Sequence, residues 1–149
     1  LFEDRRSLEA WTAFTFFNKG TVLIYMGDET LTDHRPDLFE KDVIDLTKQD
    51  LRHVGLIKDL ASMRISDYFS RSRSFEVSEN EEDNIVAVHE LEGRRLCGIF
   101  NVGKKNAPVD ARAAGIRDGE YRPLLGGRAV IANGLASVDA PFSVFECRD

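Results

Sequence analysis

The run Gly20-Thr21-Val22-Leu23-Ile24-Tyr25-Met26-Gly27-Asp28-Glu29 constrains the fold more than any other stretch of the chain. From Val22 to Met26, apolar and aromatic residues follow one another without alternation, and a glycine precedes and follows the run. A strand with one face in water alternates, so this run predicts a strand buried on both faces, as in a parallel sheet. Burying a Val, Leu, Ile or Met side chain contributes about 1.5–3 kcal/mol. Leaving Val22, Leu23, Ile24 and Met26 half uncovered would forfeit a large part of a domain's stability of about 5–15 kcal/mol. Helical patterns flank the run, giving α-β-α, and no other stretch offers a parallel neighbour. The strand is therefore expected to belong to a sheet whose other strands lie outside this sequence.

Ser7 is the expected N-cap of a helix over Leu8–Lys19, with Gly20 as its stop. Leu8, Ala10, Trp11, Ala13, Phe14 and Phe17 give that helix a broad apolar face suited to packing along a sheet. The spacing of Trp11 with Leu8 and Phe14 places its ring in that packing. A polar loop runs from Thr30 to Asp42. A second helix is expected over Lys48–Ile65, with Asp45 and Thr47 as cap candidates and Leu51, Val54, Leu56, Ile57, Leu60, Ala61 and Met63 on its apolar face.

From Tyr68 onward the period changes to two. Phe75 and Val77 alternate with polar residues, and Ser78–Asp83 is an acidic turn. Asn84–Leu91 and Arg94–Val102 form strands joined at Glu92-Gly93, and Arg128–Ala132 and Leu135–Asp139 flank Asn133-Gly134, the strongest hairpin signal present. Pro108–Ala111 is a short edge strand, and Phe142, Val144 and Phe145 belong to a final one. Short strands with turns at this spacing predict an all-β sandwich. Both faces of the Asn84–Val102 hairpin are apolar, so one should fill the sandwich while the other packs on something else.

Three segments carry a resemblance. Trp11–Glu29, a helix ending in glycine followed by Gly20-Thr21-Val22-Leu23-Ile24-Tyr25-Met26-Gly27-Asp28-Glu29, resembles the seventh helix and eighth strand of the barrel in the α-amylase family, glycoside hydrolase family 13. Val22 stands where that family usually has Pro, and Met26 where it has a second Tyr. Arg35-Pro36-Asp37-Leu38-Phe39-Glu40-Lys41-Asp42 is similar to the segment after that strand in some bacterial members. In the second half, Gly119–Gly127 ahead of an Asn-Gly hairpin is similar to the family's C-terminal β-domain. The resemblance implies an α+β chain. An α-β-α tail of a (β/α)8 barrel over residues 1–67 would precede an antiparallel C-terminal β-sandwich over residues 68–149.

Composition limits the alternatives. The chain has 149 residues, a net charge of −6 and no basic stripe interleaved with aromatics, which argues against nucleic acid as a partner. The 14 Arg, against 6 Lys, are dispersed and read as surface and hairpin residues. No apolar run reaches the roughly 18 residues a membrane helix needs, so no membrane span is expected. Cys97 and Cys147 are expected to be buried free thiols rather than a disulfide framework.

The resemblance also implies where the chemistry lies. Its retaining mechanism uses one carboxylate as nucleophile and another as acid/base, with a third in an Asn-His-Asp segment before the eighth strand. None of these is expected within the chain, so no catalytic residue is assigned and the piece alone should be inactive. The chain opens on Leu1 rather than Met, and the missing N-terminal part of the barrel is its implied partner.

Asp28 and Glu29 are adjacent and point to opposite sides of an extended segment, so they cannot flank one bond. His34, Arg35 and Asp37 follow the barrel strand and are the candidate substrate-binding residues, Arg35 offering a bidentate fork. His53 and His89 are expected to be structural, as a helix and a strand residue. No metal-ligand spacing occurs. No cofactor is expected in this chain, while calcium is possible in the intact enzyme. The implied substrate is an α-glucan or maltooligosaccharide, and the uncovered barrel remnant invites self-association. The rival reading is a stand-alone carbohydrate-binding or interaction module that folds with its own strand paired internally.

Overall fold

The alternating second half of the chain forms two antiparallel sheets in a computed structural model, which describes residues 4–32, 37, 39–79, 84–103 and 107–148. Strands β1 (Ser74–Glu79), β2 (Asn84–Leu91), β3 (Arg94–Asn101), β6 (Leu125–Gly126) and β9 (Phe142–Arg148) form the first sheet, in the order β1-β2-β3-β9-β6. Strands β4 (Val109–Asp110), β5 (Gly119–Tyr121), β7 (Ala129–Ala132) and β8 (Leu135–Val138) form the second, in the order β4-β8-β7-β5. Three α-helices, α1 (Arg5–Phe17), α2 (Leu51–Met63) and α3 (Asp67–Arg71), lie before the strands. Among the described residues the chain is thus mostly antiparallel sheet with few helices.

Both expected hairpins form. Glu92 and Gly93 between β2 and β3, and Asn133 and Gly134 between β7 and β8, all have positive φ, which a tight two-residue turn between twisted strands requires. The Asp118 carboxylate holds the second turn by accepting from the backbone N–H groups of Asn133 and Gly134, each at 2.8 Å.

The first sheet is covered on both faces, and the pleat sorts its residues. Val86, Val88, Cys97, Ile99, Phe145 and Cys147 point to the second sheet, where Val109, Ile116, Ile131 and Val138 meet them. Ile85, Ala87, Leu91, Leu96, Phe100 and Val144 point the other way. There they meet Ala10, Ala13, Phe16 and Phe17 of α1, Leu60 of α2, and Tyr68 and Phe69 of α3. The unidentified neighbour expected for the hairpin's second face is this helical layer. His89 of β2 lies at its centre, fully buried, with Nε2 2.8 Å from the Phe17 carbonyl and Nδ1 3.2 Å from the Ser72 hydroxyl. The expected division after residue 67 falls at the first residue pair of α3, whose Tyr68 and Phe69 share one core with α1 and the sheet.

Several boundaries differ from the sequence expectation. Asp4, not Ser7, caps α1, because its carboxylate accepts from the Ser7 N–H at 2.7 Å and Ser7 itself is helical. Asp50 caps α2 through the His53 N–H, 2.9 Å away. Asp45 instead caps a separate 3-10 turn, Leu46–Lys48, where Thr47 donates to it. Residues 68–71, expected to begin the strand region, belong to α3 because Ser66 starts a new turn after α2 ends. Trp11 is not packed in the core. With Ala10, Ala13 and Phe17 turned to the sheet and core, the Trp11 ring stays 38% exposed on another side of α1.

Residues 21–25 have no regular secondary structure and join neither sheet among the described residues, and the double burial expected for the run does not occur there. Leu23 is 77% exposed and Met26 64%, with Ile24 and Tyr25 also exposed. Only Val22 packs against the helix–sheet core. Among the described residues, no helix is long and apolar enough to cross a membrane.

Candidate functional site

The site is the surface around the unpaired run and the turn that follows it. At the end of the run, Asp28 folds back so that its carboxylate accepts from the Tyr25 N–H at 2.8 Å. Glu29 accepts from the Gly27 N–H at 3.1 Å. The Gly27 carbonyl takes the N–H groups of Thr30 and Thr32 and the Thr30 hydroxyl, all at 3.1–3.2 Å. Both acidic side chains are thus committed to shaping a 3-10 turn, Asp28–Thr30. They hold backbone, and neither faces the other across a cleft.

This turn is tied to α2 and α1. The Glu29 carbonyl accepts from the Asp50 N–H at 3.1 Å. Arg5 reaches from α1 to grip Asp50 with two hydrogen bonds of 2.7 and 2.8 Å, and its Nε donates to Glu9 at 3.1 Å. Arg52 on α2 also pairs with Glu9, at 2.9 Å. The Arg5 guanidinium, and next the His53 N–H, hold the Asp50 carboxyl well below the usual carboxylate range. His53 lies buried nearby, and burial lowers its pKa although Asp50 and Asp28 pull in the opposite direction. A planar fork on a carboxylate fixes orientation as well as distance, so this network sets the angle between the two helices.

Between α1, the run and α2 lies a groove of about 520 Å³. Leu8, Trp11, Val22, Leu23, Ile24 and Ile57 give it apolar walls, with His53 and Asp28 at its polar margin. Among the described residues no three His, Cys, Asp or Glu side chains are grouped to hold a metal ion. The groove therefore offers apolar surface rather than paired acid and base groups, and what it can do chemically is be covered.

Of the candidate substrate-binding residues, His34 and Arg35 lie outside the described residues. Asp37 is exposed, and its carboxylate accepts from the N–H groups of Phe39 and Glu40 at 2.8 and 3.0 Å, which lower its pKa. It organises its own loop. Sequence reasoning missed the Arg5–Asp50 grip, which joins residues 45 apart, and missed Arg64. Its guanidinium donates to the carbonyls of Phe16 at 2.6 Å, Asn18 at 2.7 Å and Gly20, closing the carboxyl end of α1. The only signal in the sequence was an arginine following the last apolar residue of a helix.

Comparison with known proteins finds a family match in the strand region. The family model described as the bacterial α-amylase C-terminal domain matches residues 76–135. The chain resembles the C-terminal part of an α-amylase-family enzyme. Its fold recurs in an α-amylase from Lactobacillus plantarum with a TM-score of 0.78 and 21% identity, covering 98% of this chain and 34% of that one. A noncanonic maltogenic α-amylase, AmyB from Thermotoga neapolitana, gives 0.74 and 19%, covering 98% and 37%. A cyclomaltodextrin glucanotransferase, CldA, described as having a three-domain ABC distribution, gives 0.62 and 19%, covering 98% and 33%. No curated protein sequence matches the chain. The chain thus spans about a third of the length of these amylase-type structures, and the C-terminal-domain match lies wholly within its β-module.

Proposed function

We propose that the chain is the C-terminal part of a family 13 glycoside hydrolase. In this reading residues 1–67 complete a (β/α)8 barrel and residues 68–149 form the sandwich that stabilises it. The intact enzyme then cleaves α-glucosidic bonds of α-glucans or maltooligosaccharides with retention, through carboxylates on barrel strands supplied outside this chain. The observation that carries the proposal is the unpaired run: Leu23, Ile24 and Met26 are exposed on a segment that belongs to neither sheet of the described residues. A barrel strand detached from its neighbours has this appearance. The similarity of nearly the whole chain to a third of several amylase-type structures supports the same placement.

The residues here take no part in bond cleavage in this account. Asp28 and Glu29 shape the turn at the strand's carboxyl end, the face on which barrel enzymes build their sites. From the loop that follows, Asp37, with His34 and Arg35, lines an outer sugar subsite. Calcium, if the intact enzyme uses it, takes its ligands from the absent part. The helical layer over Ile85, Ala87 and Phe100 joins the sandwich to the barrel, so the sandwich acts by buttressing.

The coding sequence upstream of Leu1 tests the proposal: it should encode further βα units and an Asn-His-Asp segment close by. The purified chain should give no turnover of starch or maltooligosaccharides above a blank. Should the chain instead retard in a glycogen gel as a folded monomer, with no barrel encoded upstream, a self-standing carbohydrate-binding module is the correct reading.

A further inference from the structure

We propose that Cys97 and Cys147 close to a disulfide that staples β3 to β9 when the protein meets a small-molecule disulfide. The strand register sets Cys97 opposite Phe145 and Cys147 opposite Arg95. The cysteines are therefore diagonal neighbours on adjacent antiparallel strands, and the period of two puts them on one face of the sheet. That face is the interior of the sandwich, where Val86, Ile99 and Phe145 surround them. The two are not joined in a disulfide, and their sulfurs lie 2.8 Å apart. A disulfide bond is about 2.0 Å long, so a closure of roughly 0.8 Å, from 2.8 Å, separates this pair from bonding distance. Packing holds the two sulfurs together here.

Access comes from one side. Cys97 is fully buried and Cys147 is 5% exposed. Strand β6 pairs with β9 only at Ser143 and Val144, so among the described strands the outer edge of β9 is uncovered at Cys147. Local opening of an uncovered edge costs less than global unfolding, which makes Cys147 the first thiol to be reached. Its thiolate attacks one sulfur of the small disulfide, forming a mixed disulfide and releasing one small thiolate. The Cys97 thiolate then attacks Cys147 Sγ, and the second small thiol leaves. Two protein thiols are oxidised, losing two protons and two electrons, and one small disulfide is reduced to two thiols.

The consequence follows from topology. The cysteines are 50 residues apart, and every strand of the second sheet lies between them. A bond there restricts the unfolded chain over the segment that holds the whole second sheet, so the staple tightens the sandwich without touching the groove beside α1.

The purified protein should be incubated with oxidised glutathione, unfolded, and treated with an alkylating agent. The expected product is lighter by two hydrogens, takes up no label, and yields a peptide linking Cys97 to Cys147. Its thermal midpoint should rise by several degrees and fall back with dithiothreitol, while Cys147→Ser and Cys97→Ser show no such rise. The mass and the linked peptide are read on the unsubstituted protein, so they decide the matter even if either variant fails to fold. Both thiols staying fully labelled, under conditions that oxidise the urea-unfolded chain, would overturn the proposal. So would a stable glutathione adduct on Cys147 alone, or a linked peptide with an unchanged midpoint.

Discussion

Arg64 and His89 show how single side chains join the helices to the sheet. Arg64 is half-buried, donates to three carbonyls at the end of α1, and lays its guanidinium 4.9 Å from the centre of the Phe69 ring. A hydrogen bond to a charged group contributes more than a neutral one, and its loss leaves carbonyls unsatisfied. Arg64→Ala should lower stability by about 2–3 kcal/mol in urea unfolding, with Arg64→Lys recovering part of it. The Phe17 carbonyl can only accept, so His89 Nε2 carries a proton, and the Ser72 hydroxyl can donate to Nδ1 of the neutral ring. Burial lowers its pKa, and the nearby charges of Lys19 and Arg64 lower it further, against the Phe17 hydrogen bond. A histidine held neutral in the fold stabilises fully above its unfolded pKa of about 6.5 and loses that contribution as pH falls below it. Stability, read as the urea midpoint, should therefore drop between pH 7.5 and pH 5, and His89→Gln should flatten that drop.

Among elements, β3 depends on an absence. Gly98 faces α1, and a Cβ there would lie 2.5 Å from ring carbons of Phe100 and 3.2 Å from the Phe17 ring. Those rings meet at a tilt, 5.3 Å between centroids, and anchor α1 to the sheet. Gly98→Ala should cost about 1–3 kcal/mol by overpacking, measurable as a lowered thermal midpoint, whereas alanine at the exposed Glu120 should cost little. A glycine inside a strand is a known mark of close approach, and in that sense α1's docking left a trace in the sequence. The hairpins at Glu92-Gly93 and Asn133-Gly134 were legible because turn chemistry is local. The insertion of β9 between β3 and β6 was not, since no local pattern encodes a pairing between residues some 50 apart. At the site, Asp28 and Glu29 were expected on an extended segment but open a 3-10 turn instead. The acceptors those carboxylates spend on Tyr25 and Gly27, and the Arg5–Asp50 grip, depend on how the loop folds back. Capping residues were misplaced by a few positions because several Ser, Thr and Asp precede each helix and only the carboxylate that reaches an N–H acts.

At the scale of the whole molecule, a well-covered sheet stands beside an uncovered apolar run. The groove walled by Trp11, Leu23 and Ile24 is surface that a soluble chain ordinarily keeps hidden. The chain by itself should therefore self-associate at micromolar concentration in sedimentation velocity. Leu23→Asp combined with Met26→Asp should return it to monomer with the unfolding midpoint unchanged, since both side chains already face water.

Hydrogen exchange resolved to residues 22–26 tests the account most directly, compared between this chain and a longer protein that includes the sequence ahead of it. The barrel assignment predicts near-unprotected exchange at these amides, other than the Tyr25 N–H held by Asp28, in the chain at monomeric concentration, strong protection in the longer protein, and slow exchange in β2 and β3 in both. Protection of those other amides in the chain by itself, or equally fast exchange in the longer protein, would contradict it.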